Sequence, residues 1–185
     1  GLLGQMMEPA SFGEYPYPEI DVSSWALTGA KQREARSIYS CAREEKKQIQ
    51  HIYDLHKKFE KIAENETTYE EFNTEDADII LVAFGSMTRN IKAAMNVLRK
   101  KGIKAGCFRP VTLSPFPHKR LEELAELGKD FVVVEMNMGQ MVEDVKLAVN
   151  GTIPVTFYGR TGGCIPSPEE IIKEIITLDK KYKKG

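Results

Sequence analysis

From residue 78 onward, short runs of branched apolar residues alternate with amphipathic stretches four times, and few folds accommodate that rhythm. The first run, "DIILVAFG" (78–85), is apolar almost without interruption, as a strand covered on both faces requires, and a strand is expected over 78–84. "TRNIKAAMNVLRKKG" follows, with Ile91, Ala94, Met95 and Leu98 on one helical face and Gly102 as the stop. "IKAGCF" predicts a second strand over 103–108, and "HKRLEELAELGK" a second helix with Leu121, Leu124 and Leu127 in register and Gly128 as its C-cap. "DFVVVEM" (130–136) and "GQMVEDVKLAVNG" form the third pair; "IPVTFYG", a strand over 153–158, and "SPEEIIKEIITLDKKYKK" form the fourth. In that last stretch Ser167 stands as N-cap, Pro168 at the first helical position and Glu170 three residues after the cap, the pattern of a capping box. Such alternation builds parallel strands joined by right-handed crossovers, with helices on both faces. The expected fold is α/β, a three-layer α/β/α sandwich around a mainly parallel open sheet.

The chain before residue 78 follows other rules. Residues 1–30 hold three of the nine prolines and show neither a helical nor a strand period, yet contain Tyr15, Tyr17 and Trp25. An extended arm lying on another surface is expected; the competing reading, a disordered tail, sits poorly with that aromatic content. "AREEKKQIQHIYDLHKKFEKIAEN" (42–65) places Ile49, Ile52, Tyr53, His56, Phe59 and Ile62 on one stripe of an amphipathic helix. His51 and His56 stand about 140° apart around its axis and cannot share a metal; His56 is expected to pack on the apolar stripe. With 26 basic and 27 acidic side chains, no net field draws the chain to nucleic acid or an anionic membrane. No apolar run approaches the roughly 18 residues that span a bilayer. Cys41, Cys107 and Cys164 lack the spacing of a disulfide framework or metal site, which suits a reducing compartment, and a cytoplasmic location is expected. Because it opens on Gly1 within an apolar stretch, the chain is expected to be a piece of a longer polypeptide.

In a parallel open sheet the loops leaving the strand C-termini gather along one edge, where polar groups and helix N-termini converge. The candidates for a crevice or interface there are Gly85, Ser86, Arg109, Glu135, Asn137 and Gln140, with Trp25 added from the arm. Each could equally serve as a cap or pair with a neighbour. Arg109 is expected to be held by Glu135 or by backbone carbonyls of "EMNMGQ". No GxxxxGK[ST], dinucleotide-binding turn, GxSxG or CxxC is present, and no catalytic residue, cofactor-binding residue or metal ligand is assigned.

"VAFGSMTRNIKAAMNVLRKKGIKAGCFRPVTLSPFP", "VVVEMNMGQMVEDVKLAVNG" and "GGCIPSPEEI" resemble the C-terminal, transketolase-C-type domain of the alpha subunit of 2-oxoacid:ferredoxin oxidoreductases of the 2-oxoglutarate and branched-chain keto acid kind. "GLLGQMMEP" is similar to the end of that family's preceding pyrimidine-binding domain, and "WALTGAKQREARSIYSC" resembles its interdomain connection. The resemblance implies the division 1–41 (end of the preceding domain and arm), 42–66 (linker helix) and 67–185 (transketolase C-terminal-domain-like). It further implies a hetero- or homo-oligomeric assembly of anaerobic metabolism that decarboxylates a 2-oxoacid on thiamine diphosphate and magnesium, passes electrons through iron–sulfur clusters to ferredoxin, and forms an acyl-coenzyme A. Those cofactors would sit on the beta subunit and other subunits or domains, leaving this chain a packing role. The alternative is an independent flavodoxin-like module that uses Arg109, Ser86 and Gln140 to hold a small anion or nucleotide.

Overall fold

The computed structural model describes residues 12–14, 18–38 and 44–182. The chain separates into two compact units at 60/61. In the first, Asp21 accepts the Ser23 N–H at 2.9 Å, and the Arg33 and Arg36 guanidinium groups each donate to the Ala26 carbonyl at 3.2 Å. Helix α1 (Glu45–Glu66) begins in that unit and ends in the second. None of its described side chains is buried. Contrary to expectation, His56 is not packed: its side chain is 72% exposed and its Nδ1 lies 3.3 Å from Glu60 Oε1, one turn on. The arm's Trp25 is also exposed, at 56%.

The second unit holds strands β1 (Tyr69–Phe72), β2 (Ile79–Val82), β3 (Ala105–Pro110), β4 (Asp130–Glu135) and β5 (Val155–Gly159). Between them come helices α2 (Met87–Lys100), α3 (His118–Glu126) and α4 (Met141–Val149), and α5 (Pro168–Tyr182) closes the order. The sheet runs β1-β3-β2-β4-β5; β2 to β5 are mutually parallel and β1 is antiparallel to β3. The four expected strands and their parallel sense are therefore present, with no end displaced by more than two residues.

Alternation along the strands divides the core into two layers. Leu81, Cys107, Val132 and Val134 face α2 and α5 through Ile91, Leu98, Ile171 and Ile175. Ile80, Val82, Phe108 and Val133 face α3 and α4 through Leu121, Leu124, Met141 and Val145. Every residue of β2 is buried, which explains its unbroken apolar sequence. The capping box at α5 is formed: Ser167 N–H donates to Glu170 Oε2 at 3.0 Å, and Glu170 N–H to Ser167 Oγ at 3.3 Å.

Strand β1 is an element the sequence did not announce. Its four residues "YEEF" include two glutamates, poor strand formers, and the structure uses both. Glu71 accepts from Arg120 Nε at 2.6 Å and from the Thr74 hydroxyl; Glu70 faces Arg109. The turn that follows presses on β3 at Gly106, where an added Cβ would stand 2.8 Å from the Asn73 carbonyl oxygen and 3.0 Å from Thr74 Cα. Both neighbours are backbone and cannot swing aside. Gly106→Ala is therefore expected to cost about 1–3 kcal/mol in chemical denaturation, and an unchanged midpoint would show that β1 does not close on β3 there.

Burial raises the Glu71 carboxyl, but the Arg120 guanidinium and the Thr74 hydroxyl outweigh it and leave the group below its ordinary range. A carboxyl depressed on folding contributes stability above its unfolded value of about 4.3 and loses it as pH falls through the lower folded value. Stability should therefore decline on acidification below about pH 4.3. The difference between wild type and Glu71→Gln, measured by denaturation at several pH values, should shrink over that window; a constant difference would deny Glu71 this role.

Candidate functional site

The connection leaving β2 heads toward β3 on one face, and the connection leaving β4 heads toward β5 on the other. Neighbouring strands whose connections diverge open a crevice at their C-terminal ends. A recess of about 320 Å³ lies there, lined by Phe84, Gly85, Ser86, Met87, Val134, Glu135, Met136 and Asn137. A hollow of about 580 Å³ opens beside Tyr69, Phe116 and His118, but its guanidinium, Arg120, is committed to Glu71 and to Glu123 at 2.8 Å.

Glu135 organises the recess. It is 1% exposed, and its carboxylate accepts the backbone N–H of Met141 at 2.9 Å, of Val142 at 3.0 Å and of Gln140 at 3.3 Å, together with Asn137 Nδ2 at 3.0 Å. Those three N–H groups open α4 and have no partner within the helix. The helix dipole adds to the attraction. Asn137 Oδ1 turns back to accept the Gly139 N–H at 2.7 Å, so the loop 136–140 is fixed from within. The Glu135 carbonyl accepts the Arg160 N–H at 3.2 Å, tying the loop to the end of β5.

Of the residues singled out from sequence, Gly85, Ser86, Glu135 and Asn137 meet at this recess, and Gln140 joins through its N–H. Trp25 belongs to the other unit. Arg109 is a correction. β2 separates β3 from β4, and Arg109 Nη1 binds Glu70 Oε2 at 3.1 Å across the antiparallel pairing with β1, while its buried Nε has no partner among the described residues. The expected pairing with Glu135 fails because an unforeseen strand supplies a nearer carboxylate. Sequence reading also passed over Glu70, Glu71 and Arg120, whose only signal was the charge interrupting a short apolar alternation.

The arrangement fixes a loop and presents a mostly apolar recess with one hydroxyl, Ser86, which makes no capping bond. With every Glu135 contact directed at an N–H group, no carboxylate is placed to activate that hydroxyl. Among the described residues no three His, Cys, Asp or Glu side chains gather to hold a metal ion. Burial pushes the Cys107 thiol up to about 12, and Cys164 stands exposed with no cysteine partner among the described residues. The described donors fit neither an iron–sulfur cluster, which takes several thiolates, nor a magnesium diphosphate.

A doubly wound α/β domain with its polar groups collected at the β2/β4 crevice is the class that fold and site define. Residues 77–171 match the family described as pyruvate:ferredoxin oxidoreductase core domain II, and the chain belongs to that family. It is 39% identical over 174 residues to the ketoisovalerate oxidoreductase subunit VorB of Methanothermobacter marburgensis, covering 94% of this chain and 49% of that one. With the 2-oxoglutarate synthase subunit KorA of the same organism it shares 36% identity over 105 residues, or 57% of this chain and 28% of the relative. The chain thus spans about half, or less, of each relative's length. Among solved structures, the 2-oxoglutarate:ferredoxin oxidoreductase from Magnetococcus marinus, with 2-oxoglutarate, coenzyme A and succinyl-CoA bound, superposes with a TM-score of 0.62 at 19% identity, over 74% of this chain and 24% of that one. A split-gene transketolase, an inactive beta4 tetramer, gives 0.52 at 21% identity, over 60% of this chain and 40% of that one. These two likenesses establish the shared fold.

Glu135→Gln replaces one acceptor oxygen with an amide that opposes the N–H groups of α4. It is expected to lower stability by about 2–3 kcal/mol in denaturant titration and to speed hydrogen exchange at Met141 and Val142. Arg109→Lys, at an exposed edge pair, should cost no more than about 1 kcal/mol. The reverse order of effects would reinstate Arg109 as the organiser.

Proposed function

We propose that this chain is the C-terminal part of the alpha subunit of a thiamine-diphosphate-dependent 2-oxoacid:ferredoxin oxidoreductase, of the 2-oxoisovalerate or 2-oxoglutarate type. In it, residues 1–41 form the end of a preceding domain and an interdomain arm, 42–66 a linker helix and 67–185 a packing domain that helps set the geometry of an active site built elsewhere. Thiamine diphosphate, magnesium, the iron–sulfur clusters, and the contacts with coenzyme A and ferredoxin belong to other domains and to a beta subunit of a cytoplasmic assembly. The family match and the named oxidoreductase subunits supply the reaction class.

One observation carries the packing role. The start of α4, which in a nucleotide- or anion-binding α/β domain would face the ligand, is occupied by the chain's own Glu135 carboxylate. An anion arriving there would meet a negative charge. That geometry disfavours the independent anion-binding module.

The isolated chain should be colourless and show no calorimetric heat with thiamine diphosphate and magnesium. The native protein should co-purify with a thiamine-diphosphate subunit and reduce ferredoxin with a branched 2-oxoacid or 2-oxoglutarate. Visible cluster absorbance or micromolar binding by the isolated chain would move the chemistry into it. Native protein free of oxidoreductase subunits would end the assignment.

A further inference from the structure

Residues 79–121 contain nine lysines and arginines and no aspartate or glutamate, in a chain whose formal net charge is −1. Three of the nine stand free on the outer face of α2 and at its end, and we propose that this face is a docking surface for an acidic protein that binds and leaves reversibly. The inference goes beyond the proposed function and does not depend on which reaction the assembly performs.

Packing takes up part of that positive charge. Arg99 is paired with Asp76 at 2.7 Å, Arg109 with Glu70 at 3.1 Å and Arg120 with Glu71 at 2.6 Å, and Lys92 lays its ammonium over the Phe72 ring, 3.5 Å from the centroid. Lys104 adds to the pull of Arg99 on the Asp76 carboxyl. Arg89, Lys100 and Lys101 remain exposed, with Lys119 on α3, and none of these four lies within salt-bridge distance of a carboxylate among the described residues. Positions 89, 93, 96 and 100 follow one line of α2, three or four residues apart, over about 16 Å. Ala93 and Asn96, both exposed, lie between the cations and are too short to cover them. Lys100 and Lys101 suit the negative end of the helix dipole, but Arg89 sits in the first turn, where a cation opposes the dipole and no acidic side chain answers it. Local helix stability therefore does not account for Arg89. On the neighbouring α5, Glu169 and Lys173 add one charge of each sign.

The chemistry of the stripe selects the partner. Val97 is the one large apolar side chain exposed on α2. Permanent interfaces have apolar cores and are depleted in lysine, so a lasting cover of this face, from the same polypeptide or another, would strip water from its cations with little apolar area in return. A reversible contact leaves the charges partly hydrated and uses them to steer and orient the partner. A second copy would set like charges against each other. Single-stranded nucleic acid stacks its bases on aromatic side chains, and an anionic bilayer takes up an apolar helix face; the stripe offers neither. Carboxylates on an acidic protein answer its row of separated cations.

The test uses the full-length protein with the polypeptides that purify with it, and a fluorescent peptide of twenty glutamates as the probe. At low ionic strength a water-soluble carbodiimide should join the peptide to Lys100 or Lys101, located by mass spectrometry, and the product should disappear at about 0.5 M salt. Arg89→Gln/Lys100→Gln should weaken peptide binding, read by fluorescence anisotropy, by at least about fivefold. Lys57→Gln/Lys119→Gln removes as much exposed charge elsewhere and should change binding by less than about twofold. Carbodiimide links from Lys100 or Lys101 to carboxylates of the purified assembly itself would overturn the proposal, because the face would then be permanently covered. So would a probe linked only at other lysines, equal weakening by the two double variants, or a twenty-nucleotide RNA or phosphatidylserine vesicles that bind this face more tightly than the peptide.

Discussion

A carboxylate can be buried in an apolar sheet only when something replaces the water it gives up, and at Glu135 consecutive backbone N–H groups do so. The exchange is reciprocal. Those groups open a helix, lack intrahelical partners, and would otherwise need solvent or a cap of their own. The same residue directs its carbonyl to the Arg160 N–H, so one side chain and one peptide unit link β4, α4 and the loop after β5. Close approach completes the arrangement: a Cβ at Gly159 would lie 2.6 Å from the Asn137 carbonyl oxygen, so the loop rests directly on β5. The path of the crevice wall therefore depends on this one glutamate as well as on the apolar contacts of α4.

At the other edge, cations replace backbone pairing. The loop 73–77 has no strand partner, and three basic side chains hold it or its flanking strand. Arg99 donates to the Asn73 carbonyl at 2.8 Å and to Asp76 at 2.7 Å. Lys129 donates to the carbonyls of Glu75 and Ala77 at 2.9 and 2.8 Å, and Arg120 holds Glu71. Lys129 is itself buried, a position a lysine tolerates only when its ammonium finds acceptors such as these two carbonyls. These contacts set the chain in place to add β1 to the sheet in the antiparallel sense, covering the edge of β3.

This contrast explains what sequence could and could not show. The four strand-helix units were legible because each repeats the period its burial imposes: "IILV" is covered on both faces, and the α2 stripe of Ile91, Ala94, Met95 and Leu98 points to one. The α5 start was legible because a capping box is local. β1 was not, since the partners of its glutamates, Arg120 and Arg109, are distant in the chain, and those glutamates argue against a strand until the partners are known. Arg109 was misplaced for the same reason: its end of strand was read correctly, but its neighbour depends on sheet order. Glu135 stood out at a strand end, but that it would cap α4 could not be read without knowing how the loop 136–140 turns back.

A scaffold and a binding domain of this fold differ in what meets the exposed helix N-terminus at the crevice. Where a ligand supplies the anion, the loop can remain open to receive it. Where the chain supplies the anion, the loop is fixed before any ligand arrives, and the cost of burying the carboxylate is offset within the fold by hydrogen bonds. The second solution gives up the most available ligand site of an α/β sheet and gains a wall whose shape does not vary. That exchange suits a domain whose surface is read by other polypeptide surfaces, because a loop held at Asn137 and Glu135 need not be ordered again on contact. It also sets the two edges apart in how their loops are held: basic side chains fix the loop 73–77 at one edge, and backbone amides on one carboxylate fix the loop 136–140 at the other.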